Sequence, residues 1–155
     1  MPTPIRNSSR GITIYIASKF LSRSRLLPIR QQLISEGFEV LSTWMIADPD
    51  MPTSDTAIFD SLGDCLEDCK VMAIRDFNEV RRSDVFVIDT NDVSATGGRE
   101  VELGYAKAQH GMECLRVGPI RNVFHAVVDN AFMDWDECVR YLMAGYPILE
   151  DSDEN

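Results

Sequence analysis

Apolar residues along this chain alternate between two patterns: short uninterrupted runs, and longer segments in which they recur every three or four positions. The runs are typical of buried strands and predict five of them, at residues 12–17, 38–41, 84–89, 112–117 and 131–133. The helical spacing predicts helices at residues 26–34, from about 57 or 61 to 82, and at 102–110, 122–128 and 135–143. Strand and helix therefore alternate over most of the chain.

This alternation favours a parallel sheet covered by helices. We expect an α/β fold consisting of a single-domain, doubly wound (Rossmann-like, flavodoxin-like) five-stranded parallel sheet. The first helix is expected to turn its leucines and isoleucine toward the core, namely Leu26, Leu27, Leu33 and Ile34.

The length of 155 residues fits one compact domain. We place this domain at residues 11–146, between a flexible N-terminus at 1–10 and an acidic flexible tail at 147–155. Residues 47–56 carry two prolines and several acids without periodicity, and they are expected to form a loop or lid.

The net charge of −10 argues against a protein that binds duplex nucleic acid, because such a surface normally carries a basic excess. Residues 1–35, however, hold six basic residues and no acid, and all 25 acids lie in the rest of the chain. This local basic excess indicates a small anionic ligand. We expect Arg6 and Arg10 to lie in a solvated tail.

No apolar run approaches the roughly 18 residues that a membrane span needs, and residues 1–6 lack the apolar core of a secretory signal. We therefore expect a cytoplasmic protein that binds no membrane, with its four cysteines as reduced thiols. The motifs of P-loop nucleotidases, common esterases and zinc hydrolases are absent from the sequence, so neither a cofactor nor a metal ion is expected.

The segment that opens on Thr96-Gly97-Gly98 predicts a ligand site, because loops at the carboxyl ends of parallel strands converge there. Gly98 allows close approach of the backbone to a ligand. Glu102 is expected in the first turn of the following helix, where the helix dipole favours an ionised carboxylate. It is a candidate nucleophile, with a solvated surface glutamate as the alternative.

Tyr15, in the first strand, and Asp76, on the long helix, could reach the same edge of the sheet. Two carboxylates that face one pocket suit glycosidic chemistry, because one attacks the anomeric carbon while its protonated partner helps the leaving group depart. From the residues alone, Asp76 as a surface ion pair and Tyr15 as a core aromatic remain open alternatives.

The segment 102–106, Glu-Leu-Gly-Tyr-Ala behind a glycine loop, resembles the nucleophile motif of the nucleoside 2-deoxyribosyltransferase and 2'-deoxynucleoside 5'-monophosphate N-glycosidase superfamily. Residues 75–85, with Asp76 on a helix before a strand, are similar to a second motif of that superfamily, and the resemblance covers most of residues 11–143. It implies that Glu102 attacks C1' to form a glycosyl-enzyme intermediate. It further implies that Asp76 assists proton delivery to the departing base and that Tyr15 lies beside the nucleophile.

The resemblance also implies which residues bind the substrate. Asp92 occupies roughly the place of an aspartate that contacts base or sugar in the transferases. Polar residues after the first strand and in the glycine loop could hold a 5'-phosphate, as in the nucleotide hydrolases; they are Ser18, Lys19, Ser94 and Thr96.

A neighbouring subunit completes the site in this superfamily, which implies a homodimer or higher homo-oligomer and makes Asn122 and His125 candidates for recognition of the 5' end. Taken alone, a histidine such as His125 is more often structural. Arg99 and Glu100 depart from the usual motif, and we favour an ion pair between them over a contact of Arg99 with substrate.

The first functional hypothesis is an enzyme that cleaves the N-glycosidic bond of a 2'-deoxynucleoside or its 5'-monophosphate through Glu102. It would pass the sugar to another base or to water, and the choice between transferase and hydrolase stays open. The alternative is a non-catalytic nucleotide-binding or sensing module on the same fold. A purely structural scaffold would require that Tyr15, Asp76 and Glu102 fail to converge in one pocket.

Overall fold

The computed structural model describes residues 9–46 and 66–150. Within them, five strands form one sheet: β1 Thr13–Ala17, β2 Glu39–Val40, β3 Val85–Asp89, β4 Glu113–Val117 and β5 Asn130–Phe132. Four α-helices alternate with these strands: α1 Arg23–Ser35, α2 Leu66–Arg81, α3 Gly98–Lys107 and α4 Trp135–Gly145. Short 3-10 turns at Phe20–Ser22, Thr43–Met45 and Val123–Ala126 follow β1, β2 and β4.

All strand pairs are parallel, and the strand order is β2-β1-β3-β4-β5. This is the flavodoxin-like order of doubly wound sheets, so the predicted fold class is confirmed. Right-handed crossovers place α1 and α4 on one face of the sheet and α2 and α3 on the other. The carboxyl ends of all five strands meet at one edge.

The central strand β3 is buried at every position, as expected of a parallel strand that is covered on both faces. Tyr15 pairs with Phe86 across β1 and β3, and Ala17 pairs with Ile88. Because side chains alternate along a strand, Tyr15 and Phe86 share one face of the sheet, and Asp89 lies on the opposite one.

Helix α3 begins at Gly98, four residues before its predicted start. The preceding Gly97 adopts a left-handed conformation with φ of 78°, which glycine accepts without strain, and this residue forms the N-terminal cap. The polar residues of the first turn masked the helical periodicity. Glu102 is consequently the fifth residue of α3, and the prediction that it lies in the first turn is wrong.

Two further predictions of local structure need correction. In α1, Leu26 and Leu33 are fully buried, but Leu27 is 37% exposed, so it does not belong to the core. The helix predicted at 122–128 is a single 3-10 turn, which the side chain of Asn122 caps by accepting a hydrogen bond from the Phe124 N–H.

Arg10 is buried, contrary to the expectation of a solvated tail. Its Nη1 donates to the carbonyl oxygens of Tyr146 at 2.8 Å and Met143 at 3.3 Å, and its guanidinium lies over the ring of Phe38. Arg10 thereby joins the segment before β1 to the end of α4. Arg6, the expected loop at 47–56, the first part of the long predicted helix and the last five residues lie outside the described residues.

No helix within the described ranges is long and apolar enough to cross a bilayer.

Candidate active site

Tyr15 forms the floor of the candidate site, on the face of the sheet that α2 and α3 cover. The side chain is fully buried and stacks on Phe86, with ring centroids 5.8 Å apart and planes 8° from parallel. Its hydroxyl is close enough to Glu102 for the two groups to perturb each other, but it has no hydrogen bond of ordinary geometry with any described residue. Burial, followed by the charge of Glu102, raises the pKa of Tyr15 well above its usual value, so the hydroxyl keeps its proton as a donor.

Asp76 approaches from α2. Its side chain is 20% exposed, and Oδ1 accepts hydrogen bonds from Arg75 Nη2 at 3.0 Å and Nε at 3.2 Å. Burial raises the pKa of Asp76 to about 6, against the opposing effect of the Arg75 guanidinium. The ion pair that was the alternative role for Asp76 is therefore present, with Arg75 as its partner. The carboxyl nevertheless takes up a proton in mild acid, because its pKa is about 6.

Glu102 approaches from α3 and completes the group. Burial and then the charge of Asp76 raise the pKa of Glu102 well above its usual range, while the Tyr15 hydroxyl acts in the opposite direction. In the second turn of α3 the carboxyl is too far from the helix terminus for the dipole to offset this burial. We refer to Asp76 and Glu102 as the carboxyl pair. Because the charge of Asp76 raises the cost of ionising Glu102, the pair retains one proton over a wider pH range than isolated carboxyls would.

Glu100 occupies the first turn of α3 and has a different environment. Its Oε1 accepts hydrogen bonds from His125 Nε2 at 2.8 Å, Arg99 Nε at 3.0 Å and Asn122 Nδ2 at 3.3 Å. Burial alone would raise the pKa of Glu100, but the bonds from His125 and Arg99 outweigh it and lower the pKa. Glu100 is thus an ionised structural carboxylate.

His125 is fully buried, and its bonds fix the position of its proton. Nδ1 accepts from the Arg121 backbone N–H at 3.0 Å, so the ring proton lies on Nε2 and points to Glu100. His125 therefore faces its own chain, whereas Asn122 in the same turn is exposed.

Arg99 is 4% exposed and anchors the loop after β3. Besides its bond to Glu100, its Nη1 donates to the carbonyl oxygens of Asp92 at 2.7 Å and Asp89 at 3.2 Å. The favoured pairing of Arg99 with Glu100 is confirmed.

Asp92 lies with α1, on the other side of the loop. It accepts hydrogen bonds from Ser22 and, at 3.0 Å, from Arg25 Nη2, and these bonds lower its pKa. Arg25 also pairs with the buried Asp89, which accepts a further bond from Trp135 Nε1 at 2.6 Å. The structure thus joins Asp92 to this ion cluster and not to the carboxyl pair.

The remaining predicted binding residues line the carboxyl edge of the sheet. Ser18 donates to the Asp89 carbonyl oxygen at 3.3 Å, and Lys19 precedes the turn after β1 and acts electrostatically on Asp92. In the glycine loop, the hydroxyls of Ser94 and Thr96 lie 3.3 Å apart, just before Gly98. These side chains are partly or fully exposed, so a bound molecule can reach them.

Glu79 is a further acidic residue of this site, and the sequence pattern did not indicate it. This side chain lies one helical turn after Asp76, is 4% exposed, and accepts hydrogen bonds from the backbone N–H and the hydroxyl of Thr43. The sequence carried no signal for its burial, because the residues three and four positions from it are all polar: Arg75, Asp76, Arg82 and Ser83. Among the described residues, no group of three or more His, Cys, Asp or Glu side chains is arranged to hold a metal ion.

Comparison with solved structures identifies proteins of similar architecture. A 2-deoxyribosyltransferase from the psychrotolerant bacterium Bacillus psychrosaccharolyticus superposes with a TM-score of 0.60 at 21% identity, over 88% of this chain and 96% of that one. A conserved protein from Enterococcus faecalis V583 gives a TM-score of 0.59 at 14% identity, over 86% and 98% of the two chains. A Clostridium botulinum CMP N-glycosidase gives 0.48 at 16% identity, over 84% and 97%.

No family model and no curated protein matches the sequence. The structural likeness nevertheless covers most of this chain and nearly the whole of the two solved chains with the higher TM-scores. The chain therefore has the fold of a solved 2-deoxyribosyltransferase, the fold that the resemblance of its motifs implied.

Proposed function

We propose that this chain cleaves the N-glycosidic bond of 2'-deoxynucleosides or their 5'-monophosphates and transfers the deoxyribosyl group to another base or to water. The observation that carries the proposal is the convergence of Tyr15, Asp76 and Glu102 on one face of the sheet, with the pKa of both carboxyls raised. The shared fold with a solved 2-deoxyribosyltransferase supports it. A purely structural scaffold would have no need of this convergence, so it favours the enzyme over the scaffold.

In the first step, the ionised carboxylate of Glu102 attacks C1' and forms an ester to the sugar. The bond from C1' to the base nitrogen breaks, and its electron pair leaves with the base while Asp76 supplies the proton. This step requires the shared proton of the carboxyl pair to lie on Asp76, because Glu102 must be ionised to attack C1' while Asp76 protonates the departing base. The Tyr15 hydroxyl keeps its proton and lies close to Glu102, so it is available to donate a hydrogen bond to the Glu102 carboxylate during this step.

In the second step, an incoming base or water attacks C1', the ester bond to Glu102 breaks, and Asp76 accepts the proton of the nucleophile. Whether the acceptor is a base or water depends on the access of water to the ester. The exposed hydroxyls at the carboxyl edge, with Lys19 beside them, provide hydrogen-bond donors and a positive charge for the sugar or a 5'-phosphate. We assign this role to Ser18, Ser94 and Thr96, with the backbone of Gly98, and a contact to base or sugar to Asp92.

We also propose that the chain forms at least a homodimer in which Asn122 reaches the partner's site and His125, through Glu100, holds its turn in place. Support comes from exposed apolar side chains next to this turn: Val123 is 76% exposed, Phe124 61% and Val101 59%. Such neighbouring apolar groups favour burial against another surface. Sedimentation analysis of Phe124→Ser should show a monomer, while Leu27→Ser on α1 should leave the oligomer intact; a monomeric wild type would contradict this proposal.

The activity is tested by incubating the protein with a 2'-deoxynucleoside, its 5'-monophosphate and a second free base, and then separating the products. Release of the base, or its exchange, should occur with wild type and with Glu137→Gln, a surface control on α4. It should fall at least 1,000-fold with Glu102→Gln, because an amide is a far weaker nucleophile. Thermal stabilisation by these ligands without base release would instead support the nucleotide-binding module.

A further inference from the structure

Glu79 provides a third carboxylate next to the carboxyl pair, and its contacts differ from theirs. Thr43 donates its hydroxyl to Oε1 at 2.6 Å and Oε2 at 3.0 Å, and its backbone N–H to Oε1 at 3.2 Å. Among the described residues, every group that hydrogen-bonds to this carboxyl is a donor, which is the pattern of an ionised carboxylate. Glu79 therefore places a fixed negative charge inside the site.

The bonds to Thr43 also hold α2 in position. Thr43 opens the 3-10 turn after β2, and the preceding Ser42 does not cap that turn, because its hydroxyl accepts from the Ile16 N–H at 2.6 Å. Glu79 caps the turn from another element instead. This links α2 to the carboxyl end of β2, one helical turn from Asp76.

The charges around Asp76 come from three elements of the described fold. Helix α2 supplies the charged side chains of Arg75 and Glu79, and α3 supplies the titratable carboxyl of Glu102. Strand β1 supplies the titratable but neutral Tyr15 hydroxyl, and the turn after β2 supplies only the uncharged Thr43. Arg75 Nη2 lies 3.0 Å from Asp76 Oδ1, and Arg75 Nε lies 3.9 Å from Glu79 Oε1, so both acids share one guanidinium. Glu79 raises the pKa of Asp76 and that of Glu102.

We propose that Glu79 is a positioning residue of this site, which anchors α2 through Thr43 and uses its negative charge to keep one proton on the carboxyl pair. The catalytic consequence rests on the proposed function: the proton kept on the carboxyl pair is the one that Asp76 delivers to the leaving base. The positive charge of Arg75 favours the ionised form of Asp76, whereas the negative charge of Glu79 favours the protonated form. The two charges therefore oppose each other in setting the protonation of Asp76.

The test is a titration of Asp76 by carbon-13 NMR, with Asp76→Asn used to assign the signal. Removal of the charge in Glu79→Gln, which keeps an acceptor for Thr43, should lower the midpoint by about one pH unit. Removal of the guanidinium in Arg75→Gln should raise it. Glu67→Gln, on the same helix but 84% exposed, should leave it unchanged.

The opposite signs separate this role from a structural one. Loosening of the site would admit water and lower the midpoint in both variants, so a lowered midpoint in Arg75→Gln, or an unchanged one in Glu79→Gln, overturns the proposal. If Glu79→Gln does not fold, Glu79→Met takes its place, because it removes the same charge with a side chain of similar length, and an unchanged midpoint there overturns the proposal as well. Because the titration needs no turnover, an inactive wild type that titrates as expected would refute the enzymatic function and leave this inference standing.

Discussion

At the scale of single residues, the site depends on the contrast between two glutamates two positions apart in α3. The Oε1 atom of Glu100 accepts bonds from Arg99, His125 and Asn122, and its pKa is lowered. Glu102 faces Tyr15 and Asp76, and its pKa is raised. A carboxylate held by three donors is a poor nucleophile, because its charge is already neutralised by hydrogen bonds. Glu102 retains the reactivity that the proposed attack requires.

The raised pKa of Asp76 predicts how stability changes with pH. The folded state holds this proton up to about pH 6, whereas an unfolded aspartate releases it near 3.8, so the folded state binds more protons between these values. Stability supplied by the protonated carboxyl is full below pH 4 and is lost as the pH rises through 6. Asp76→Asn removes this loss and should therefore be more stable than wild type at pH 7.

The expected gain at pH 7 is roughly 1–3 kcal/mol in the free energy of unfolding, since one pKa unit corresponds to about 1.4 kcal/mol. Urea denaturation of both proteins at pH 4, 5, 6 and 7 measures it. The difference between variant and wild type should grow from pH 4 to 6 and then level off. A difference that is constant with pH would contradict the burial of an ionisable Asp76.

At the scale of elements, the start of α3 sets which glutamate faces Tyr15 and Asp76. Gly97 ends the loop in a left-handed conformation and lets the helix begin at Gly98. In the first turn of α3, Glu100 then faces the 3-10 turn Val123–Ala126 and bonds to His125. In the second turn of α3, Glu102 faces Tyr15. A helix that began at residue 102, as the periodicity predicts, would give neither contact.

Gly97→Ala should destabilise the protein by about 1 kcal/mol. A Cβ at this position would meet no described atom within 4 Å, so the loss comes from backbone strain at positive φ. Gly104→Ala is the matched control in the same helix, where φ is ordinary and the added Cβ also meets open space. It should be neutral or stabilising, because alanine favours the helix. Thermal denaturation compares them, and equal losses would contradict the strain at Gly97.

The elements that could be predicted from sequence are those whose side-chain pattern is regular. The apolar runs gave the order of the strands along the chain, and the alternation with helices gave the fold class. The start of α3 could not be predicted, because the polar residues of its first turn hide the helical periodicity. The burial of Arg10 could not be predicted either, because it depends on a hydrogen bond to the backbone of Tyr146, 136 residues away. The burial of Glu79 could not be predicted for the same reason, since its hydrogen-bond partner Thr43 lies 36 residues away.

At the scale of the whole molecule, two polar clusters flank the sheet. The carboxyl pair lies on the face that α2 and α3 cover, while Asp89 points to the opposite face and joins β3 to α1 and α4. Arg25 bonds to both of its carboxylate oxygens, at 2.8 and 3.1 Å, and Trp135 adds a third bond. This second cluster holds the loop after β3, and the loop in turn leads into α3.

Asp89→Ala should lower the free energy of unfolding by about 3 kcal/mol, because it leaves the Trp135 N–H and the Arg25 guanidinium without their buried acceptor. Asp92→Ala removes the other partner of Arg25 at a site 44% exposed and should cost under about 1 kcal/mol. Chemical denaturation of the two variants checks this order. Equal losses of unfolding free energy in the two variants would mean that burial of Asp89 does not strengthen its bonds to α1 and α4.

The central claim, nucleophilic attack by Glu102, is tested most directly by trapping the intermediate. The protein is mixed with a 2'-deoxynucleoside or its 5'-monophosphate, quenched in acid within the first turnovers and analysed by peptide mass spectrometry. We predict a deoxyribosyl ester on Glu102 that is absent from Glu102→Gln and present in Glu137→Gln. Release of the base with no adduct at Glu102, or at a rate that Glu102→Gln leaves unchanged, would contradict the mechanism.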